Sequence, residues 1–235
     1  MRTLHGVSTL PGTPSRVQAS DIEYTVRRSG RARRVRVNVR AHTDVEVVLP
    51  AHAPDRAAAA AVRELAPWIE RRLSEGRQAL AHVAERAGTV PYLGAPLVLV
   101  PESGRTRAHR NGEKLFVPMG EYRPAVERLY RRLARTEIAA RLDAAVAQVG
   151  ASYSVLSIRA QSTRWASCSA RGAMSFNWRL LLAPEPVLEY VVWHEVCHLD
   201  VRDHSPRFWA LVEQCCPGWR EQREWLRRYG ATLVL

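Results

Sequence analysis

Residues 190–209 read YVVWHEVCHLDVRDHSPRFW, and this stretch decides the fold and the chemistry that the sequence predicts. His194 and His198 are four residues apart, so their imidazoles would lie on one face of a helix and could bind the same metal ion. Glu195 would lie close enough to reach a water molecule at that metal without being a ligand itself. The pattern is typical of a helix that carries the metal site of a zinc hydrolase.

The residues before this motif argue against a purely structural role for the histidines. Val187, Leu188 and residues 190–193 are apolar nearly all round a helix, which predicts a buried helix. Burying a His-Glu-His group there would cost free energy unless a metal satisfied its polar atoms. We therefore expect one bound zinc ion, and a structural histidine pair is the alternative interpretation.

His204 is the favoured third ligand. The pair Ser205-Pro206 has the form of an N-cap and a first-turn proline, so His204 would lie in a turn between two helices. From that turn its side chain could fold back towards the metal and leave a fourth position for water. Glu213, on the later helix, is the alternative third ligand.

The spacing to His204 equals that of the metzincin pattern HExxHxxGxxH, but two features of that class are missing. Val201 stands where the pattern has glycine, and no methionine follows His204 to form a Met-turn. The chain is therefore not predicted to be a metzincin. Asp200 or Asp203 could hydrogen-bond a ligand imidazole and orient it.

The first half of the chain has a β-rich pattern. Residues 22–40 and 45–49 are predicted as strands from their alternating side chains, and residues 55–82 have helical spacing that Pro67 interrupts. Further strands are expected at residues 92–100 and 115–117, the second of them following an Asn-Gly turn.

The second half is mainly helical. Residues 123–149 and 219–229 are predicted as helices, and residues 154–158 and 173–178 as strands, the latter a possible edge for an extended peptide. The fold class is α+β. We predict a flexible leader over 1–16, a mostly antiparallel β-rich region with a helix over 17–118, and a zincin-like helical catalytic domain with the HExxH helix over 119–235.

The composition is that of a globular protein with a strong positive charge. Hydrophobic residues make up 46% of the 235 residues, and the formal net charge is +12. All basic residues except Lys114 are arginines, so the charge reflects either a solvated arginine-rich surface or an anionic partner such as a nucleotide or nucleic acid.

Cysteine usage and hydropathy favour a cytoplasmic location. Four cysteines with no CxxC pair are expected to be free thiols in a reducing compartment. The N-terminal residues lack the apolar segment of a signal peptide, and no apolar run approaches the roughly 18–20 residues that span a bilayer. We therefore expect no membrane partner.

Several segments together resemble one family. The runs RWASCS at 164–169, FNWRLLLAP at 176–184 and YVVWHEVCHLDVRDHSPRFW are similar, in order and spacing, to the YgjP-like (DUF45) family of predicted zinc metallopeptidases. The resemblance implies His194, His198 and His204 as zinc ligands, Glu195 as the catalytic residue, and kinship with SprT- and WLM-type zincins. Ala166 departs from the glycine that is common in the family at this position.

The predicted reaction is metal-assisted hydrolysis of a peptide or protein. Zinc would activate a water molecule, and Glu195 would accept its proton as general base and pass it to the leaving group. The oxyanion stabiliser is not determined by the sequence. Arg164, Asn177 and Arg179 are weak candidates for substrate binding, and Tyr190 is a further candidate for the oxyanion.

Two other functions are compatible with the same residues. Arginines within residues 27–40 and 123–141 could hold the phosphates of a nucleotide, which would make the protein a zinc-dependent phosphoanhydride hydrolase, or pyrophosphatase. The basic N-terminal strands could instead bind nucleic acid, in a DNA-associated SprT-like protease or in a non-enzymatic binding module.

Overall fold

The computed structural model of the protein describes residues 15–19, 22–40, 44–161 and 163–235. The chain divides into two compact units, residues 1–80 and 81–235. The described residues form a mixed α/β structure with six α-helices and three small sheets, in agreement with the predicted α+β class. Most of the predicted leader, residues 1–14, lies outside the described residues.

The first unit contains a four-stranded mixed sheet. Its strands are β1 (Ser15–Ala19), β2 (Ile22–Ser29), β3 (Arg36–Arg40) and β4 (Asp44–Pro50), in the order β1-β2-β4-β3. The β1–β2 and β3–β4 pairs are antiparallel and the β2–β4 pair is parallel. The prediction of mostly antiparallel strands is therefore confirmed for this sheet.

Two helices follow the sheet, α1 (Arg56–Glu64) and α2 (Ala66–Glu85). Helix α1 ends before Leu65, and α2 begins at Ala66, so Pro67 lies in the first turn of α2. Proline is tolerated in the first turn of a helix but not in its interior, which explains the predicted interruption. One face of the sheet packs against these helices. The buried core is formed by Ile22, Tyr24, Val45, Val47 and Leu49 from the strands with Ala58, Val62 and Ile69 from the helices.

The second unit begins with another four-stranded sheet. Its strands are β5 (Thr89–Tyr92), β6 (Ala95–Glu102), β7 (His109–Asn111) and β8 (Lys114–Pro118), in the order β5-β6-β8-β7. A two-residue turn, Leu93-Gly94, joins β5 to β6, and both residues have positive φ, 51° and 90°. Residues 89–118 were grouped with the N-terminal region by the sequence, but they pack within the second unit. The domain boundaries themselves stay a prediction.

The rest of the second unit is built on four α-helices and a short sheet. The elements are α3 (Arg123–Val149), β9 (Val155–Arg159), β10 (Ala166–Cys168), β11 (Ala173–Asn177), a 3-10 helix (Trp178–Leu182), α4 (Glu185–Cys197), α5 (Pro206–Cys215), α6 (Trp219–Tyr229) and a 3-10 turn (Gly230–Thr232). Helix α4 lies in the core, as its apolar sequence predicts, with Val187, Leu188 and Val192 fully buried.

The short sheet corrects one prediction. Strand β11 pairs with β10 on one side and β9 on the other, so it is the central strand and not an edge. The edge strand next to helix α4 is β10, which the sequence analysis did not predict. No helix in the described ranges is both long enough and apolar enough to cross a bilayer.

Candidate metal centre

Three imidazole nitrogens converge at the C-terminal end of α4. His194 lies in the last turn of the helix, His198 is its C-cap residue, and His204 follows in the loop before α5. The Nε2 atom of His204 lies 3.1 Å from Nε2 of His194 and 3.2 Å from Nε2 of His198. Two nitrogens bound to one tetrahedral zinc at about 2.05 Å are about 3.3 Å apart, so these spacings suit a shared ion.

The tautomer of His198 is fixed by a backbone group. Its Nδ1 atom lies 3.0 Å from the carbonyl oxygen of Val201, so Nδ1 carries the proton and donates to that carbonyl. Its Nε2 atom therefore presents a lone pair to the other two histidines. The loop residue Val201 thus orients the His198 imidazole, a role that was expected of a nearby aspartate.

Burial keeps His194 neutral. Desolvation, followed by the nearby His198 and His204, lowers the pKa of His194 to about 3. The Nδ1 atom of His194 is buried and has no hydrogen-bond partner within the described part of the chain. A neutral imidazole is the form that binds metal, so the fold prepares His194 as a ligand at neutral pH.

Aromatic side chains of α5 support the histidines. The Phe208 ring is fully buried, and its centroid lies 4.4–4.9 Å from those of His194, His198 and His204. Trp209 stacks on His204 at 5.6 Å, with an interplanar angle of 28°. Because His204 comes from an exposed loop, these rings hold it in place by packing.

Glu195 is buried beside the three histidines. Its side chain is only 5% exposed, and burial raises its pKa to about 8, although the backbone N–H of Cys168 opposes this by donating to the carboxylate. The Oε2 atom has no hydrogen-bond partner among the described residues. A buried carboxylate with a raised pKa and an oxygen without a hydrogen-bond partner is suited to exchange a proton with a molecule in the adjacent pocket.

The structure places the alternative ligands elsewhere. Glu213 accepts a hydrogen bond from Nε1 of Trp219 at 2.6 Å and forms an ion pair with Arg220, and it does not join the histidine group. Asp200 pairs with Arg207 at 3.0 Å, and Asp203 is hydrogen-bonded to Ser205. Neither aspartate hydrogen-bonds an imidazole within the described residues, but Asp203 interacts electrostatically with His204, so an orienting aspartate stays a prediction.

A cavity of about 240 Å³ opens over these groups, and it includes only one of the candidate substrate-binding residues. It is lined by the three histidines and Glu195 together with Arg164, Ala166, Ser167, Cys168 and Arg202. Asn177 is buried outside it and donates to the carbonyl oxygens of Gln161 and Arg164. The Arg179 guanidinium stacks on Trp178, and Tyr190 is buried against His194 and Trp219.

The two arginines of the cavity have different environments. Arg202 donates to the backbone carbonyls of Ser169 at 2.6 Å and Ala170 at 3.0 Å, so it fixes the turn between β10 and β11. The exposed Arg164 makes no side-chain hydrogen bond or ion pair with the described residues. Sequence reasoning missed Val201, Cys168 and Arg202, because none of them belongs to a metal-binding pattern and two act through backbone groups.

The arrangement fits a metal ion by its donor chemistry. Three imidazole nitrogens share one pocket with a partnerless buried carboxylate oxygen, and His, Cys, Asp and Glu groups that could hold a metal together occur in the described residues only as this trio. The set of three nitrogen ligands with an open side is found in catalytic metal sites.

Comparison with known proteins identifies the family. The model described as "YgjP-like, metallopeptidase domain" matches residues 33–229, which is most of the chain. No curated protein matches the chain. The crystal structure of the metallopeptidase zymogen of Pyrococcus abyssi abylysin is 26% identical over 38% of this chain and 93% of that one, with a TM-score of 0.35. The match over residues 33–229 shows that the chain belongs to the YgjP-like metallopeptidase family.

Proposed function

We propose that this protein is a zinc-dependent metallopeptidase in which His194, His198 and His204 hold one zinc ion and Glu195 is the general base. The observation that carries the proposal is the convergence of three imidazoles beside a buried carboxylate: the Nε2 atom of His204 lies 3.1 Å from that of His194 and 3.2 Å from that of His198. Membership of a metallopeptidase family supports a peptide or protein as the substrate. In this proposal the second unit is a zincin-like catalytic domain.

The three proposed ligands would be held in place in different ways. His194 and His198 are fixed by the helix and by the contact of His198 with the Val201 carbonyl. His204 is exposed and closes the site from the loop. A bound zinc ion would lower the pKa of a water molecule to about 7 and polarise the carbonyl of the substrate.

Glu195 would move the proton. Its pKa of about 8 in the metal-free protein results from burial, and a nearby cation favours the ionised form, which can act as a base. The high intrinsic proton affinity of this carboxylate suits it to accept a proton from the attacking water and then donate it to the leaving amine.

Strand β10 offers an edge for the substrate backbone. In an antiparallel pair alternate residues direct their backbone groups to the partner strand, and Trp165 and Ser169 direct theirs to β11. Ala166 and Cys168 therefore direct theirs to the other side, where both line the cavity. The Cys168 N–H donates to Glu195, so the groups available to a substrate are the N–H and carbonyl of Ala166 and the carbonyl of Cys168. An extended peptide could add to this edge by main-chain hydrogen bonds.

Arg164 is the remaining candidate for a substrate-binding side chain. It is an exposed residue that lines the cavity, and its own carbonyl oxygen accepts from the buried Asn177 amide. This contact holds the backbone of Arg164, and its guanidinium could donate to a carbonyl or carboxylate of the substrate.

The test is hydrolysis of a peptide library and of an unfolded protein by the zinc-loaded enzyme. The wild type is expected to cleave peptide bonds, and Glu195→Gln is expected to bind zinc with the same stoichiometry but lose at least about a hundredfold in kcat, as loss of a general base predicts. Glu213→Gln is the matched control, since this carboxylate lies outside the histidine group. Full activity of Glu195→Gln would refute the assignment.

The nucleotide hydrolase is tested by the same preparation. In α3, Arg131 pairs with Glu127, and Arg141 contacts Glu137, Glu185 and Glu189, so these two arginines are already neutralised. We therefore favour the peptidase. Release of pyrophosphate from nucleoside triphosphates without peptide cleavage would favour the alternative.

A further inference from the structure

One face of the sheet in the first unit carries polar and charged side chains. Successive side chains of a strand point to opposite faces, and Tyr24, Val47 and Leu49 belong to the face that packs on the helices. The register pairs Val48 of β4 with Arg27 of β2 and with Arg36 of β3, so these three lie in one row on the other face.

This row is the floor of a basic pocket. The pocket has a volume of about 160 Å³, and it is lined by Arg27, Ser29, Arg31, Ala32, Arg36, Asn38 and Val48. Three arginines, a serine and an asparagine therefore border one small space. A phosphate group, with its several acceptor oxygens, is the chemical class that such donors recognise.

Among the described residues, Glu46 is the only carboxylate that contacts the pocket residues, and it is hydrogen-bonded to two of them. Glu46 accepts from Nε of Arg27 at 3.0 Å and from the amide of Asn38 at 3.3 Å. Arg31 and Arg36 are exposed and form no ion pair in the same part of the structure. The pocket thus retains an excess of positive charge.

Not every arginine of this segment belongs to that surface. The Arg28 guanidinium donates to the carbonyl oxygens of Ala51 and Ala53 at 2.8 and 2.9 Å and pairs with Asp55 at 2.6 Å. Arg28 therefore fastens the loop before α1. The contrast shows that, within the described part of the chain, Arg31 and Arg36 form no ion pair because of their position and not only because arginine is abundant.

The charge extends beyond the pocket. Residues 24–43 contain seven arginines and no aspartate or glutamate. Arg33 and Arg34 are exposed in the connection between β2 and β3, next to the pocket residues Arg31 and Ala32. A single phosphate needs only two or three guanidinium groups, whereas the described residues of this segment include five exposed arginines besides Arg28, enough for a ligand with several phosphates.

We propose that this basic face of the first unit, formed by Arg27, Arg31, Arg33, Arg34 and Arg36, binds the phosphate backbone of nucleic acid without base specificity. Lysine- and arginine-rich surfaces bind such backbones by releasing condensed counterions, so the affinity falls steeply with salt. The proposal is independent of the metal centre.

The experiment is fluorescence anisotropy of a labelled 20-base-pair duplex with the full-length protein between 50 and 200 mM NaCl. Arg31→Ser/Arg36→Ser is expected to bind at least about tenfold more weakly at 100 mM NaCl and to reduce the slope of log K against log salt by about 2, one for each lost phosphate contact. Arg31→Lys/Arg36→Lys retains the charge and is expected to keep the slope.

The matched control is Arg128→Ser/Arg132→Ser, which removes two exposed arginines of α3 that have no ion pair among the described residues. This variant is expected to bind within about threefold of the wild type. Circular dichroism and thermal unfolding of each variant establish that it is folded.

Three outcomes would overturn the proposal. The first is equal loss in the serine pair and in the control, which would mean that net charge alone attracts DNA. The second is no binding by the wild type at 50 mM NaCl. The third is arginine-dependent binding to vesicles with 30% phosphatidylserine, or to inorganic phosphate, with no binding to the duplex.

Discussion

Shortening Phe208 tests whether aromatic packing holds the three histidines in place. The ring is fully buried, and its centroid lies within 5 Å of all three imidazole centroids. Phe208→Ala removes this support and leaves a cavity, which typically costs about 3–5 kcal/mol of the free energy of unfolding. Because domains have only about 5–15 kcal/mol in total, Phe208→Leu is the safer variant for metal measurements.

Phe208→Leu keeps most of the buried volume, and its expected cost in unfolding free energy is about 1.5 kcal/mol or less. The flat ring surface that stacks on His198, with an interplanar angle of 23°, is lost. We expect zinc affinity to fall about 10–100-fold, as it does when groups that orient metal ligands are removed. Zinc affinity is measured by competition with a chromophoric chelator, and stability by urea unfolding of the metal-free protein.

The control for this prediction is Phe176→Leu. Phe176 of β11 is also fully buried in the second unit, but it makes no ring contact with the histidines in the described structure. This variant should lose similar stability and keep the zinc affinity of the wild type. Equal zinc affinity in the two leucine variants would refute the claim that Phe208 positions the ligands.

Three further predictions concern protons, packing and the substrate. Because His194 is neutral above about pH 3 and the pKa of Glu195 is about 8, zinc binding near pH 7 should release about one proton from Glu195, in addition to the fraction released by zinc-bound water. Calorimetry in buffers of different ionisation enthalpy should show this release, and Glu195→Gln should lower it by about one proton. A Cβ at Gly230 would lie 2.9 Å from the Trp165 ring, so Gly230→Ala should lower the thermal midpoint by several degrees. Gly30→Ala is the control, because Gly30 has open space around it and no positive φ. Arg164→Ala should raise KM for a cleaved peptide about tenfold with little change in zinc content, and unchanged KM would exclude substrate contact.

The proton prediction has a counterpart in the stability of the metal-free protein. The folded pKa of His194 is depressed below its ordinary 6.5, so its contribution to stability is present above pH 6.5 and is lost as the pH falls towards 3. The folded pKa of Glu195 is raised above 4.5, so its contribution is present below pH 4.5 and is lost as the pH rises towards 8. Urea unfolding without metal should therefore show lower stability at pH 8 than at pH 6, and a rise over this range would contradict the burial of Glu195.

The sequence predicted the long elements of the fold well. Helices α3 and α6 have the bounds that periodicity indicated, 123–149 and 219–229, because both are amphipathic and lie between clear start and stop signals. Strand β10 escaped prediction because it has only three residues, 166–168, and is formed by its pairing with β11 and not by a local pattern.

In the candidate site, too, part of the arrangement could be predicted from local sequence and part could not. Spacing and turn signals were sufficient to propose His204 over Glu213, and the structure brings the His204 nitrogen to the other two. The group that orients His198 is the Val201 carbonyl, and the donor to Glu195 is the Cys168 amide. Every residue has such backbone groups, so their roles depend on the fold and leave no trace in residue type.

The assignment of residues 89–118 to the second unit also depends on tertiary contacts. Residues 89–118 alternate and turn as the first strands do, and local patterns gave no reason to separate them. Two contacts join these residues to the segment that leads into α4. Leu93 N–H donates to the Leu181 carbonyl, and Gly94 lies so close to Pro184 that a Cβ added to the glycine would be 3.4 Å from the Pro184 Cα atom. These contacts join residues about 90 positions apart, which periodicity cannot detect.

The most direct test of the metal centre is anomalous diffraction at the zinc absorption edge from crystals of the full-length protein grown with one equivalent of zinc. We expect a single peak within about 2.0–2.1 Å of the Nε2 atoms of His194, His198 and His204, and no ligand contact from Glu213. A peak away from the three histidines would contradict the account, and so would the absence of a peak at these histidines in crystals that contain zinc.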